Sequence, residues 1–116
     1  MLTRADLLKR RCRHLDGPPM QDAAIAAQLS ALPGWRQDGG FLRRDFRFAD
    51  FASTIAFVNA VARLADDEDH HPELHVGYGR CAVAFNTHSV GGISENDFIC
   101  AAKVDALTRQ PPDAQE

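Results

Sequence analysis

The chain has 116 residues, 45% of them hydrophobic, three widely spaced cysteines and a formal net charge of −3. Its length fits one domain, and its charge gives no overall basic field to attract nucleic acid or anionic lipid. No apolar run approaches the roughly 18 residues of a membrane span, and no signal-peptide core follows the N-terminus. An odd cysteine count without a Cys-x-x-Cys pair argues against a disulfide framework or a cysteine zinc site. We expect a cytoplasmic protein with no nucleic-acid or membrane partner.

Breaker residues divide the chain into an N-terminal extension over 1–20, one domain over 21–110 and a tail over 111–116. The extension is set apart by Gly17-Pro18-Pro19, which breaks any helix begun upstream. Its basic run from Lys9 to Arg13 is expected to be a solvated segment or the end of a short helix.

The first half of the domain is predicted to be a helix followed by a hairpin. Apolar residues at helical spacing predict a helix over 22–32. A strand over 35–37, the glycine turn at 38–40 and a return strand over 41–48 form the hairpin. Arg44 interrupts the apolar face of the return strand. We expect either an edge strand or an arginine whose aliphatic stem lies along the sheet.

A second helix is predicted to be the main core element. Asp50 can cap it, and an apolar stripe runs along it through Phe51, Ile55, Val58 and Ala62, widened by Phe57, Val61 and Leu64. The helix ends in the acidic run 66–69.

The last part of the domain is predicted to be a second hairpin and a final helix. Strands over 74–78 and 81–87 form the hairpin, and the second is apolar on both faces, which predicts subunit contacts. Ser94-x-x-Asp97 resembles a capping box at the start of the last helix. The order α-β-β-α-β-β-α predicts an α+β fold, a four-stranded antiparallel sheet with helices on one face.

Three of the five histidines fall in two short segments, Asp69-His70-His71-Pro72 and Asn86-Thr87-His88. The first segment lies at a helix-to-strand junction, where adjacent rings can line one pocket. Pro72 keeps the backbone of His71 extended. Because the start of one antiparallel strand lies beside the end of its neighbour, His88 is expected next to His70 and His71. Imidazole titrates near neutrality, so the cluster predicts general acid–base catalysis.

Other interpretations of these residues stay open. A metal site that also uses His75 is disfavoured, because the helical His-x-x-x-His spacing is absent. The histidines could also be satisfied polar residues at a strand edge, and His75 is expected to be exposed or at an interface. Asp97 could cap the last helix, orient a histidine, or do both.

Together these residues resemble the pterin-4a-carbinolamine dehydratase family. The family pattern is present here without a gap as Asp66, His70-His71-Pro72, Tyr78, His88 and Asp97. Similar segments are Leu32-Pro33-Gly34-Trp35, Phe46 to Phe51 and Gly91 to Ser94. The resemblance covers about residues 22–108.

The resemblance implies a hydro-lyase that dehydrates 4a-hydroxytetrahydropterin to the quinonoid dihydropterin in tetrahydrobiopterin recycling. It implies a homodimer or homotetramer that needs no metal and no organic cofactor, with an aromatic amino acid hydroxylase as the source of substrate and a candidate partner. The implied acid–base residues are His70, His71 and His88. The implied substrate-binding residues are Asp69, Asn86, Thr87 and Ser89, and the implied supporting residues are Asp66, Pro72 and Asp97.

Two alternative functions are compatible with the same resemblance. The fold also serves in some family members as a dimerisation partner of a transcription factor, which implies a non-catalytic coactivator module. A paralogue that binds another pterin, for example in molybdopterin metabolism, is the second alternative.

Overall fold

A computed structural model describes residues 1–111 of the chain. The elements are α1 (Arg4–Lys9), α2 (Asp22–Leu29), β1 (Arg36–Asp38), β2 (Phe41–Arg47), α3 (Phe51–Glu68), β3 (Glu73–Gly77), β4 (Arg80–Phe85), a 3₁₀ turn (His88–Val90) and α4 (Glu95–Asp105). The α+β class and the predicted order are confirmed, with α1 as an additional helix. Apart from Pro111, the predicted tail lies outside the described residues. Within them, no helix combines the length and hydropathy that a membrane span requires.

The four strands form one antiparallel sheet in the order β1-β2-β4-β3. In the first hairpin the turn is as predicted, since Asp38 pairs with Phe41 and Gly39 has a φ of 60°. β2 pairs with both β1 and β4, so the first of the two alternatives given for Arg44, an edge strand, is wrong. Arg44 is buried on the helix-covered face, where its Nη1 donates to Asp105 Oδ1 at 2.8 Å. Its guanidinium lies 4.5 Å from the centre of the Phe46 ring.

β4 is buried on both faces within the single chain. Ala82 and Ala84 are 1% and 6% exposed, although they face away from the helices. Their partners across the strand pairs are the longer residues Arg43, Asp45, Glu73 and His75. Neighbouring side chains therefore cover the two small alanines, and the inference that β4 needs a second subunit to cover it is wrong. Oligomer formation itself stays a prediction.

The helices pack on one face of the sheet, as predicted, but their burial differs from the expectation. The buried line of α3 is Thr54, Phe57, Val61, Ala65 and Glu68. Phe51, expected in the main stripe, is 50% exposed. α4 is the more buried helix because it contacts α1, α3 and the sheet. The extension therefore contributes to the core, and Leu7 of α1 is fully buried.

Candidate active site

A cavity of about 410 Å³ opens where α3 ends and β4 leads into the 3₁₀ turn, and this volume is typical of small-molecule sites. The cavity brings together the predicted catalytic and substrate-binding residues, His70, His71, His88, Asp69, Asn86, Thr87 and Ser89. The predicted supporting residues Asp66, Pro72 and Asp97 are not in its lining. His75 lies on the opposite face of the sheet, beside Ala82, and is exposed.

The end of α3 explains how two adjacent histidines reach this cavity. Asp69 ends the helix in the left-handed conformation, with φ 50° and ψ 44°. Aspartate tolerates this conformation better than most residues. The N–H of His70 still bonds to the Ala65 carbonyl at 3.0 Å, which is typical of a left-handed helix end. The reversal directs the chain into β3 and leaves both histidines at the cavity.

His70 is the most firmly held of the three histidines. Its side chain is 12% exposed, and its Nε2 lies 2.6 Å from Asp97 Oδ1. Its ring stacks on Phe85, with centroids 5.9 Å apart and 7° between the planes. Because Nε2 faces a carboxylate oxygen, the geometry favours the tautomer in which this nitrogen carries the proton. The orientation of the ring is thus fixed before any ligand binds.

Asp97 makes the contacts that both of the roles considered from the sequence require. Its Oδ2 accepts the backbone N–H of Ser94 at 2.8 Å, which with the reciprocal bond forms the predicted capping box of α4. The same oxygen accepts the Thr87 hydroxyl at 2.9 Å, while Oδ1 faces His70. Asp97 is fully buried, so one carboxylate connects the start of α4, the segment after β4 and the histidine cluster.

His71 and His88 are more exposed than His70. The Nε2 of His71 lies 2.9 Å from Asp66 Oδ1, and both side chains are largely solvent-accessible. The strand before His88 was predicted over 81–87, but β4 ends earlier, at Phe85. His88 therefore begins the 3₁₀ turn and does not lie at the end of the strand. Among the described residues no side-chain hydrogen bond to His88 is present, so its ring nitrogens are available to a ligand.

Two of the predicted substrate-binding hydroxyls are used within the protein. Thr87 is buried, and its hydroxyl contacts both Asp97 and the Ser94 hydroxyl, the latter at 2.6 Å. The Ser89 hydroxyl donates to the Leu15 carbonyl at 2.7 Å. Asp69 and Asn86 therefore offer the freer polar groups of this set.

Six residues of the cavity wall were not predicted from the sequence. These are Cys12, Arg13, His14, Leu15, Glu68 and Asn96. The first four belong to the extension, whose basic run was the available signal. Within residues 1–111, no group of three or more histidine, cysteine or acidic residues is arranged to hold a metal ion.

Glu68 provides a pH-dependent contribution to stability beside the cavity. Burial raises its pKa, but hydrogen bonds from Lys103 and the Cys12 backbone outweigh this effect, so the pKa lies below its ordinary value of 4.5. A lowered carboxyl pKa stabilises the fold above the unfolded-state value, and this contribution is lost as the pH falls through the folded-state pKa. We expect Glu68→Gln to lower the free energy of unfolding by about 1–3 kcal/mol at about pH 7.

Denaturant unfolding of wild type and Glu68→Gln across pH measures this contribution. The difference in unfolding free energy should shrink as the pH falls below 4.5. The control is Glu73→Gln, which removes an exposed carboxylate of β3 and should change stability by less than about 0.5 kcal/mol. A Glu68→Gln difference that stays constant with pH would contradict the assignment.

The fold and the cavity define a class of small α+β proteins with a polar, histidine-lined pocket between the end of a helix and the end of a β-hairpin. The family described as pterin 4 alpha carbinolamine dehydratase matches residues 18–107. The chain belongs to this family, whose name denotes a hydro-lyase, and the predicted membership is confirmed.

Two relatives illustrate the similarity, and both are named "Putative pterin-4-alpha-carbinolamine dehydratase". The protein of Stenotrophomonas maltophilia strain K279a is 56% identical over 93 residues, 78% of this chain and 80% of the relative. The protein of Nitrosospira multiformis is 46% identical over 104 residues, 88% of this chain and 92% of the relative.

Two solved structures are similar to the larger part of this chain. The transcriptional coactivator/pterin dehydratase of Brucella melitensis has a TM-score of 0.73 and 33% identity, over 77% of this chain and 97% of that one. A pterin dehydratase-like protein identified as a RuBisCO assembly factor in the alpha-carboxysome has a TM-score of 0.56 and 30% identity, over 66% and 92%. The fold is thus shared by proteins described in different terms.

Proposed function

We propose that this chain dehydrates 4a-hydroxytetrahydropterin to the quinonoid dihydropterin. The observation that carries the proposal is the placement of His70, His71 and His88 on one cavity, with His70 held by the buried Asp97. Family membership and the names of the relatives support the same substrate. No group other than these side chains is needed for the proton transfers described next.

The reaction needs two proton transfers, which the cluster can provide. One imidazole donates a proton to the 4a-hydroxyl as the C4a–O bond breaks, so that water leaves instead of hydroxide. Another imidazole accepts the N5 proton, and the N5–H electron pair forms the double bond to C4a. General acid–base catalysis of this kind contributes about 10²–10⁴-fold. Asp69 and Asn86 are proposed to bind the pterin ring, and Thr87, Ser89, Asp66, Pro72 and Asp97 to shape and support the site.

The cellular setting is part of the proposal. The substrate arises when an aromatic amino acid hydroxylase turns over, so we place the reaction in tetrahydrobiopterin recycling in the cytoplasm. The hydroxylase is the proposed source of substrate, and the protein is proposed to act as a homodimer or homotetramer.

The deciding experiment follows the decay of 4a-hydroxytetrahydropterin generated in situ by a hydroxylase. Adding the protein should accelerate the decay in proportion to its concentration, measured by ultraviolet absorbance. His75→Ala is the control, because His75 is exposed on the other face of the sheet and should leave the rate unchanged. If the folded protein does not change the decay rate, the proposed function is wrong.

A non-catalytic binding module is the second candidate. Two similar structures favour it, because one is described as a transcriptional coactivator/pterin dehydratase and the other as a RuBisCO assembly factor. The cavity favours catalysis, because a docking surface does not require histidines oriented by a buried carboxylate. If the decay assay fails while the protein is folded and binds a pterin, a binding module or a paralogue for another pterin becomes the better assignment.

A further inference from the structure

Residues 10–20, here called the strap, join α1 to α2 and form one wall of the cavity. Four consecutive strap residues line the cavity: Cys12, Arg13, His14 and Leu15. Most of the remaining lining comes from the end of α3 and from the segments that follow α3 and β4, which carry the histidines. The basic run at the start of the strap was expected to be a solvated segment or the end of a short helix, but the structure places the strap at the candidate active site.

Buried side chains hold the backbone of the strap. Asn96, only 4% exposed, accepts the N–H of Arg13 at 3.2 Å and donates to its carbonyl at 2.6 Å. Glu68, 7% exposed, accepts the N–H of Cys12 at 2.8 Å. If the strap detached, these side chains would lose partners that solvent does not readily replace at a buried position. Asn96 and Glu68 thus favour the attached strap.

The basic run adds ionic contacts on the outside of the strap. Arg10 and Arg13 both pair with Glu95, at 2.9 and 3.2 Å. Arg11 pairs with Glu68 at 3.0 Å and donates to the Asp67 carbonyl. The arginine side chains remain 44–69% exposed, so each pair contributes little by itself. All three arginines pair with acidic residues of α3 or α4, so the basic run attaches the strap to these two helices.

The far end of the strap packs on the loop that carries His88. The N–H of Met20 donates to the Ile93 carbonyl at 2.8 Å. Pro19 lies so close to Gly92 that a Cβ at Gly92 would be 2.9 Å from the proline Cβ. The strap therefore packs against the loop that carries His88, one of the candidate catalytic histidines.

We propose that the strap retains the pterin substrate in the cavity and that Asn96 is the positioning residue that holds the strap closed. This inference rests on the proposed function for the identity of the ligand. Releasing the part of the strap that Asn96 holds opens a cavity wall, while the contacts of Met20 with Ile93 and of Pro19 with Gly92 keep the loop that carries His88 in place. The Michaelis constant should therefore rise while the turnover number changes little, because ground-state and transition-state binding weaken together.

The chain offers a control that matches the burial and the two backbone hydrogen bonds of Asn96, although only Asn96 lines the cavity. Gln28 is 7% exposed and holds the backbone of Leu2 in the same two-point manner, at 3.0 and 2.7 Å, but it does not line this cavity. We expect Asn96→Leu to raise the KM for 4a-hydroxytetrahydropterin about tenfold, the equivalent of roughly one net hydrogen bond, with kcat within about twofold. Gln28→Met should leave both constants near the wild-type values. Equal KM values in the two variants would overturn the proposal.

A labelling experiment tests the strap without an activity assay. Cys12 of the full-length protein is modified with N-ethylmaleimide in the presence and absence of dihydrobiopterin, and the rate is followed by mass spectrometry. Cys81 is the internal reference, because it is fully buried and burial raises the pKa of its thiol to about 11. Dihydrobiopterin should slow the labelling of Cys12 severalfold, and Asn96→Leu should accelerate it.

The two experiments separate this inference from the proposed function. Protection of Cys12 by dihydrobiopterin without dehydratase activity would support the strap as a wall of a pterin site and reject the proposed reaction. Dehydratase activity with no protection of Cys12 would reject the strap and leave the reaction intact. If Asn96→Leu fails to fold, the labelling of the wild-type protein decides the question.

Discussion

Replacing His88 with alanine is expected to slow dehydration by about 10²–10⁴-fold, the usual contribution of a general acid or base. His88 lines the cavity, begins the 3₁₀ turn and is exposed, and no side-chain hydrogen bond to it is present among the described residues. Its removal should therefore disturb chemistry much more than packing. The measurement is the rate of decay of 4a-hydroxytetrahydropterin, together with the thermal unfolding midpoint of each variant.

The control for His88→Ala is His14→Ala. His14 also lines the cavity and is also exposed, but it lies on the strap and its Nε2 is 3.0 Å from Asp16. A wall residue should change KM more than kcat, whereas an acid–base residue should change kcat. If His88→Ala keeps the wild-type kcat, the acid–base assignment of His88 is wrong. A large loss of thermal stability would instead show that His88 acts through packing.

Replacing Asp97 with asparagine is expected to lower both activity and stability. Asp97 is fully buried and accepts hydrogen bonds at both carboxylate oxygens. In asparagine an NH₂ group replaces one of these oxygens. This group cannot accept a hydrogen bond, so it faces a donor without forming one. We expect a loss of about 2–4 kcal/mol in the free energy of unfolding, from a broken buried network. We also expect dehydration to slow about 10²-fold, because His70 loses the carboxylate that orients its ring.

Ser94→Ala separates the two roles of Asp97. Ser94 caps α4 through its hydroxyl, which accepts the N–H of Asn96 at 3.1 Å, but it does not contact His70. The loss of this cap should cost about 1 kcal/mol in stability and leave the dehydration rate close to that of the wild type. If Ser94→Ala and Asp97→Asn slow dehydration equally, Asp97 acts only as a helix cap and not through His70.

Local sequence signals were sufficient for several parts of this fold. The glycine turn of the first hairpin, the Asp50 cap of α3 and the Ser94–Asp97 capping box all follow from the conformation or hydrogen bonding of a few neighbouring residues. The meeting of His70, His71 and His88 also followed, because an antiparallel hairpin brings the start of one strand beside the end of the next. These features depend on short stretches of chain.

Other features could be decided only by residues far apart in the sequence. Arg44 interrupts an apolar strand face in the sequence, and its buried partner Asp105 lies 61 residues further on. The burial of α4 and the position of the strap depend on α1 and on contacts such as Arg13 with Asn96, 83 residues apart. Periodicity describes which face of a segment is apolar but not which distant segment covers it. The sequence by itself therefore determined the family, the local caps and the histidine cluster. Only the tertiary structure decided what encloses that cluster, because long-range packing and buried hydrogen bonds join segments that no local pattern relates.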